Sequence, residues 1–166
     1  KGNAKAGKYK TVYLLHGMSD DHTTWQRRTS IERYVSEYGI AVVMPDAGLG
    51  FYTDTKYGLP YWTFFSQELP KICREFFPQL SEKREDTLAA GLSMGGYGAW
   101  KLGLGAPETF GAAASMSGVL DVARRVKEEA ADIARKPSGF WEGIFGNPDR
   151  IAGSSNDLKY LAKKLK

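Results

Sequence analysis

The stretch DTLAAGLSMGGYGAW, residues 86–100, joins an apolar, β-prone run to a segment rich in glycine and alanine. Its centre is GLSMG, residues 91–95, in which a glycine stands two residues away on each side of Ser93. We expect a strand that leads into Ser93 and a helix over 94–105. A sharp turn between strand and helix leaves room only for small flanking residues. The spacing therefore predicts that Ser93 is an activated nucleophile; the alternative is a glycine-rich helix start with an incidental serine.

Three other apolar runs lie along the chain, and each is continuous rather than alternating: TVYLL at 11–15, IAVVMP at 40–45 and FGAAASMSG at 110–118. Continuous runs are typical of strands buried on both faces of a parallel sheet. Segments with helical character separate and follow the strands, over 23–37, 60–77, 94–105, 120–135 and 155–164, and Pro70 should kink the second of them. This alternation predicts an α/β fold, a three-layer α/β/α sandwich with a mostly parallel sheet, in one domain over 1–166.

Composition excludes several classes of protein. The 166 residues are 42% hydrophobic with a net charge of +4, and the basic residues are scattered except at the chain ends, whereas a nucleic-acid groove needs an organised stripe. The sequence contains no apolar run long enough for a membrane span and no signal-peptide core. The single Cys73 forms no internal disulfide and fits a reducing compartment, so we expect a cytoplasmic location. Neither metal-ligand spacing nor a phosphate-binding loop is present, so we expect no metal and no cofactor.

A second motif, LLHGMSDDHTTW at 14–25, follows the first strand. Acyl transfer passes through a tetrahedral oxyanion, which two positioned N–H groups stabilise. One donor should be the amide of Met94, directly after the serine, and the other the amide of Met18, after His16-Gly17. An ordinary loop between strand and helix is the alternative.

Four motifs together carry a family resemblance: YLLHGMSDDHTTW, VVMPDAGLGFYTD, GLSMGGYGAW and FGNPD. In their order along the chain, the sequence resembles the "putative esterase" branch of the α/β-hydrolase fold, which includes tributyrin-type carboxylesterases, S-formylglutathione hydrolase (esterase D), feruloyl esterases and mycolyltransferases. The resemblance implies hydrolysis of short-chain acyl esters through an acyl-serine intermediate on Ser93, with the Met18 and Met94 amides as oxyanion hole. Trp25, Phe51 and Tyr52 are candidates to line the acyl pocket, core packing being the alternative.

The resemblance also raises a question about the base. In α/β-hydrolases the triad follows the order Ser, Asp or Glu, His, yet both histidines, His16 and His22, precede Ser93. We expect a structural role for His16 and a solvated loop position for His22. Asp121 follows the fourth strand, a possible acid position in some hydrolases, although this branch places the acid after the next strand.

We therefore expect that these residues form the central segment of an esterase domain, truncated at both ends and lacking the catalytic acid and histidine. Alone, this segment should be nearly inactive. Its strand at 111–117 should have an unprotected edge that self-associates or pairs with a complementing C-terminal segment.

Two alternative functions stay open. An acyltransferase of the same fold would pass the acyl group to an alcohol instead of water. A non-catalytic binding module would keep the fold without the chemistry. In the esterase interpretation, the partner is a small-molecule ester.

Overall fold

The computed structural model describes residues 8–131 and 139–165. Four strands form one sheet: β1 Lys10–Leu15, β2 Ile40–Val43, β3 Thr87–Leu92 and β4 Ala112–Met116. Their order is β2-β1-β3-β4, and every pairing is parallel. The register pairs Leu15 with Gly91 and Gly91 with Ser115, so the carboxyl ends of the three strands lie level at one edge of the sheet. The prediction of four parallel strands is confirmed.

Helices connect the strands and follow them: α1 Thr24–Arg28, α2 Ile31–Tyr38, α3 Tyr61–Thr63, α4 Leu69–Phe76, α5 Met94–Gly105, α6 Val122–Ala131, α7 Phe140–Phe145 and α8 Leu158–Lys164. A π-helical turn, Phe64–Glu68, joins α3 to α4, and short 3₁₀ turns lie at Arg84–Asp86 and Pro148–Arg150. The helix predicted over 94–105 is α5. Of the helix predicted over 120–135, residues 132–135 lie outside the described residues.

Two predicted helices differ from the structure. The helix predicted over 23–37 is two helices, because Thr29 is extended (φ −138°, ψ 171°) and its hydroxyl accepts a hydrogen bond from the Ile31 amide at 3.2 Å. The helix predicted over 60–77 widens into the π-helical turn just before Pro70. Proline has no N–H for the usual i→i−4 bond, so the backbone there departs from regular α-helix.

Burial of the strands corrects another expectation. β1 is largely buried, but β2 is only half-buried along its length. In β4 exposure alternates, and Ala112, Ala114 and Met116 are exposed. The expectation of burial on both faces is wrong for these two strands, because burial of a strand face depends on what packs over it and the described residues leave both strands partly uncovered. Among the described residues, α5 covers the face of β4 that carries Ala113: a Cβ at Gly103 would stand 2.7 Å from the Ala113 side chain.

Within the described residues, β4 pairs with β3 alone, so its other edge presents backbone groups that a second strand can bind. We expect the 166-residue chain to self-associate through this edge. In sedimentation velocity, the weight-average mass should rise with concentration, and Ala114→Lys, which places a charge on the exposed face, should reduce the rise. A monodisperse monomer at all concentrations would contradict the expectation.

The N-terminal half of α5 lies almost in backbone contact with the sheet. A Cβ at Gly95 would stand 2.4 Å from the Leu15 carbonyl oxygen, and one at Gly96 would stand 2.5 Å from the Ser115 hydroxyl. Atoms this close overlap, so only glycine permits the approach. The start of α5 is thereby fixed against the carboxyl ends of β1 and β4.

Candidate functional site

Ser93 occupies a tight turn between β3 and α5. Its backbone is left-handed, with φ 54° and ψ −113°, a combination that costs free energy in a non-glycine residue and that surrounding structure must maintain. Its amide donates to the Met116 carbonyl at 2.9 Å, and its carbonyl accepts from the Tyr97 amide at 3.1 Å. A Cβ at Gly91 would stand 2.3 Å from the Gly95 carbonyl oxygen. The small flanking residues are therefore required by the turn, as expected, and the Ser93 side chain stays partly accessible.

Two backbone segments that should supply N–H donors lie around this serine. Met94 is the first residue of α5, where amides have no acceptor within the helix. The loop after β1 comes from the other side: a Cβ at Gly17 would stand 3.8 Å from the Ser93 Cβ and 3.6 Å from the Leu92 carbonyl oxygen. The structure thus brings the loop that carries Met18 beside Ser93. The role of the Met18 and Met94 amides stays a prediction.

His16 is fixed on both sides of its ring. Its Nε2 accepts from the Ala47 amide at 2.9 Å, so Nδ1 carries the proton and donates to the Gly17 carbonyl at 2.8 Å. The 3.4 Å approach of Nε2 to Asp46 is therefore a contact between two acceptors and not an ion pair. With the side chain 1% exposed, His16 joins the loop after β1 to the loop after β2, which agrees with the structural role expected for it.

His22 lies at the surface, as expected. Its side chain is 59% exposed, and its Nδ1 is 3.4 Å from the Asp46 carboxylate. The Gly48 amide donates to the same carboxylate at 2.8 Å, and this hydrogen bond is the main cause that lowers the pKa of Asp46 below its usual value.

Asp121, the possible acid, is a surface residue at the start of α6. It accepts a hydrogen bond from the Arg124 amide at 3.3 Å and pairs with the Lys159 ammonium. The hydrogen bond from Lys159 is the main cause that lowers its pKa. Asp121 therefore caps the N-terminus of α6 and forms an ion pair with Lys159.

The three aromatic residues predicted to line the acyl pocket have different surroundings. Trp25 is half-buried, and its indole donates to the Leu15 carbonyl at 3.1 Å. Phe51, 2% exposed, packs against Trp141 with ring centroids 5.1 Å apart. Tyr52, 0% exposed, donates through its hydroxyl to the His16 carbonyl at 2.8 Å. Burial favours the core-packing alternative for Phe51 and Tyr52, and pocket lining stays a prediction for all three.

A buried lysine that no sequence motif indicated lies behind the site. Lys101, on α5, is 1% exposed, and its ammonium donates to Thr53 Oγ1 at 2.8 Å and to Asn156 Oδ1 at 2.7 Å. It also lies 4.9 Å from the centre of the Trp62 ring, a cation–π distance. Burial lowers the pKa of Lys101 to about 7, and the Asp54 carboxylate opposes this shift. Lys101 is the only charged residue over 94–105, and this feature of the sequence could have identified it.

This burial predicts a pH dependence of stability. Above pH 7 the folded chain releases the Lys101 proton, whereas the unfolded chain keeps it up to the ordinary lysine pKa of 10.5. The free energy of unfolding should therefore rise between pH 7 and 9, by up to about 1.4 kcal/mol per pH unit from this group. Urea unfolding at several pH values should show the rise, and Lys101→Met should lack it. Equal slopes in the parent and the variant would contradict the prediction.

Among the described residues, no group of three or more His, Cys, Asp or Glu side chains is placed to hold a metal ion. The part of the chain that the structure describes also contains no helix of the length and apolar character that a membrane crossing requires.

Residues 2–161 match the model of the family described as "Putative esterase". The chain belongs to this family. It is 32% identical over 160 residues to an acetyl esterase of Caldicellulosiruptor saccharolyticus, covering 95% of this chain and 59% of the relative. It is 31% identical over 168 residues to the diacylglycerol acyltransferase/mycolyltransferase Ag85B of Mycobacterium leprae, covering 93% of this chain and 50% of the relative. This chain therefore spans between half and three fifths of the length of these relatives.

Solved structures of the esterase family share the fold. The fluorophosphonate-binding serine hydrolase FphF of Staphylococcus aureus is 36% identical and superposes with a TM-score of 0.82, covering 99% of this chain and 61% of its own. The S-formylglutathione hydrolase FrmB of the same organism is 36% identical with a TM-score of 0.77 over the same shares. The predicted α/β-hydrolase fold and the resemblance to this family are confirmed.

Proposed function

We propose that Ser93 is the nucleophile of a serine carboxylesterase that hydrolyses short-chain acyl esters. The observation that carries the proposal is the strained backbone of Ser93, because such strain persists where a function requires the geometry. Family membership supports the reaction class, and the acetyl esterase among the relatives supports a short acyl group.

In the proposed reaction, Ser93 Oγ attacks the ester carbonyl carbon and loses its proton to a general base. The carbonyl oxygen becomes an oxyanion, which the Met18 and Met94 amides stabilise by hydrogen bonds. The tetrahedral intermediate then collapses, the alcohol leaves with a proton, and an acyl-serine is formed. Water attacks this ester in turn, which releases the carboxylic acid and restores the Ser93 hydroxyl. His16 cannot be the base, because both of its ring nitrogens are engaged.

Two alternatives to the hydrolase stay open. The likeness to Ag85B favours an acyltransferase, in which an alcohol replaces water in the second step. Adding an alcohol acceptor and analysing the products separates the two, since a transferase forms the new ester and a hydrolase forms the acid. A non-catalytic module of the same fold would be favoured by a Ser93 that is inert in the full-length protein.

Labelling of the full-length protein with a fluorophosphonate tests the proposal. We expect one covalent adduct per molecule, located on Ser93 by peptide mass spectrometry, because the proposed nucleophile should be activated and should stand beside two amide donors. Ser93→Ala should abolish the adduct. An adduct on another residue, or a parent protein that does not react, would overturn the assignment, and the second result would favour the non-catalytic module.

A further inference from the structure

The Lys101 ammonium joins three segments of the chain behind Ser93. Besides Thr53 and Asn156, it approaches the Tyr52 carbonyl at 3.4 Å. The Thr53 hydroxyl in turn donates to Asn156 Oδ1 at 2.7 Å. One cation on α5 thus holds the loop after β2 and the segment before α8 together.

The loop that Lys101 holds is conformationally strained. Phe51 and Tyr52 are consecutive non-glycine residues with φ of 49° and 50°, in a region of backbone conformation that costs free energy for any residue with a Cβ. Contacts outside the loop must compensate for this cost. The hydrogen bonds of Lys101 lie directly at this loop, on the Tyr52 carbonyl and the Thr53 side chain.

The same loop continues to the backbone beside Ser93. The Tyr52 hydroxyl donates to the His16 carbonyl at 2.8 Å. That carbonyl is also confined by α5, since a Cβ at Gly95 would stand 2.7 Å from its oxygen. The residues that follow His16 are Gly17, which borders Ser93, and Met18, the predicted oxyanion donor. A displacement of Tyr52 would remove one of the contacts that hold the peptide leading to the Met18 amide.

We propose that Lys101 is a positioning residue, which fixes Tyr52 and through it the His16–Met18 backbone beside Ser93. This inference rests on the proposed function of Ser93. Lys101 does not touch the reacting atoms; it determines where one of the two amide donors stands.

Charged and titratable groups from three segments surround Lys101. Asp54 lies on the loop after β2 and favours the ammonium form. Tyr52 and Tyr97 are phenols whose burial raises their pKa, so they stay neutral. Asp157, on the segment before α8, acts on Tyr97. A neutral Lys101 amine still has two N–H donors, enough for Thr53 and Asn156, so the attachment of the loop through Thr53 does not depend on the charge.

Inactivation kinetics of the full-length protein with a fluorophosphonate test the proposal, with Lys101→Met, Tyr52→Phe and the double variant. Both single variants should lower the limiting inactivation rate roughly 10-fold, a fraction of what loss of a whole oxyanion donor costs. Neither the fluorophosphonate concentration that gives half of the limiting rate nor the fraction of protein labelled at the end should change. The double variant should react no more slowly than the slower single variant, because both act through one contact. A parental rate in Lys101→Met, or effects that multiply, would overturn the proposal.

A merely structural role is distinguished by the labelled fraction, since partial unfolding lowers the fraction and leaves the rate of the folded molecules unchanged. If Lys101→Met does not fold, Thr53→Val replaces it, which removes one acceptor and should lower the rate by about 3-fold; a parental rate there would overturn the proposal. Lys71→Met, at an exposed lysine that pairs only with Glu75 among the described residues, is the control and should react at the parental rate.

Failure of the proposed function has a different signature. If Ser93 of the parent protein does not react, that function fails, and backbone NMR then decides the role of Lys101 without any reaction. Lys101→Met should shift the Gly17 and Met18 amide resonances, and Lys71→Met should not. Unchanged resonances in Lys101→Met would overturn the positioning role.

Discussion

Replacing Gly95 with alanine is expected to lower the free energy of unfolding by about 3 kcal/mol, at the upper end of what overpacking costs. The new Cβ would stand 2.4 Å from the Leu15 carbonyl oxygen and 2.7 Å from that of His16. Both are backbone atoms of β1 and its loop, so no side chain can rotate aside. Either α5 moves away from the sheet or the end of β1 moves away from α5. Urea unfolding followed by tryptophan fluorescence measures the loss.

Gly143→Ala is the matched control for this substitution. Gly143 lies inside α7, and a Cβ there would meet nothing within 4 Å. Alanine in a helix is favoured over glycine, so this variant should be more stable than the parent by about 0.5–1 kcal/mol. If the urea midpoint of unfolding and the dependence of the unfolding free energy on urea are unchanged in Gly95→Ala, α5 does not lie as close to β1 as the structure places it.

Ser93→Ala is expected to lower ester turnover by the full-length protein on the order of 10⁴-fold or more, since removal of a catalytic serine leaves only the contribution of oxyanion stabilisation and binding. Hydrolysis of p-nitrophenyl esters of increasing chain length measures the effect.

Parental turnover should be highest on the acetate or butyrate, because the bulky Trp25 beside the loop after β1 should limit pocket depth. Highest turnover on long-chain esters would contradict the proposed preference.

Two further variants serve as controls. Ser115 lies on β4 beside the same turn, and within the described residues its buried hydroxyl has no hydrogen-bond partner, so Ser115→Ala should keep activity and stability. His22→Ala should also keep activity, because its exposed ring pairs with Asp46. Activity that survives Ser93→Ala but is lost in His22→Ala would overturn the assignment of the nucleophile.

Strands and the turn at Ser93 could be predicted from the sequence because their signals are local. An apolar run followed by small residues around a serine determines a strand, a tight turn and a close helix within 86–105. The break at Thr29 could not be predicted, since it depends on a hydroxyl that competes with the helix for the Ile31 amide. Helix α7 also escaped prediction, because three glycines, at 139, 143 and 146, interrupt a short apolar segment.

The site was less predictable because its contacts join distant parts of the chain. The proximity of Gly17 to Ser93 follows from strand order, which the motif spacing anticipates. The tautomer of His16 depends on the Ala47 amide, and the burial of Lys101 depends on Thr53 and Asn156. No periodicity within α5 encodes these partners. The exposed face of β4 could not be predicted for a similar reason: burial of a strand depends on what packs over it, and this is not encoded in the strand itself.

The hydrogen bond from the Ser93 amide to the Met116 carbonyl has a consequence for the order of events in folding. The backbone of Ser93 is held in part by a strand that is synthesised later, because the acceptor of its amide lies on β4. The turn at Ser93 therefore has all of its hydrogen bonds only when β4 has docked beside β3. A nascent chain is synthesised from its N-terminus at about 5–20 residues per second, so for the time needed to add β4 the serine is present without this hydrogen bond. Chemical reactivity of Ser93 would thus report the completion of this part of the sheet.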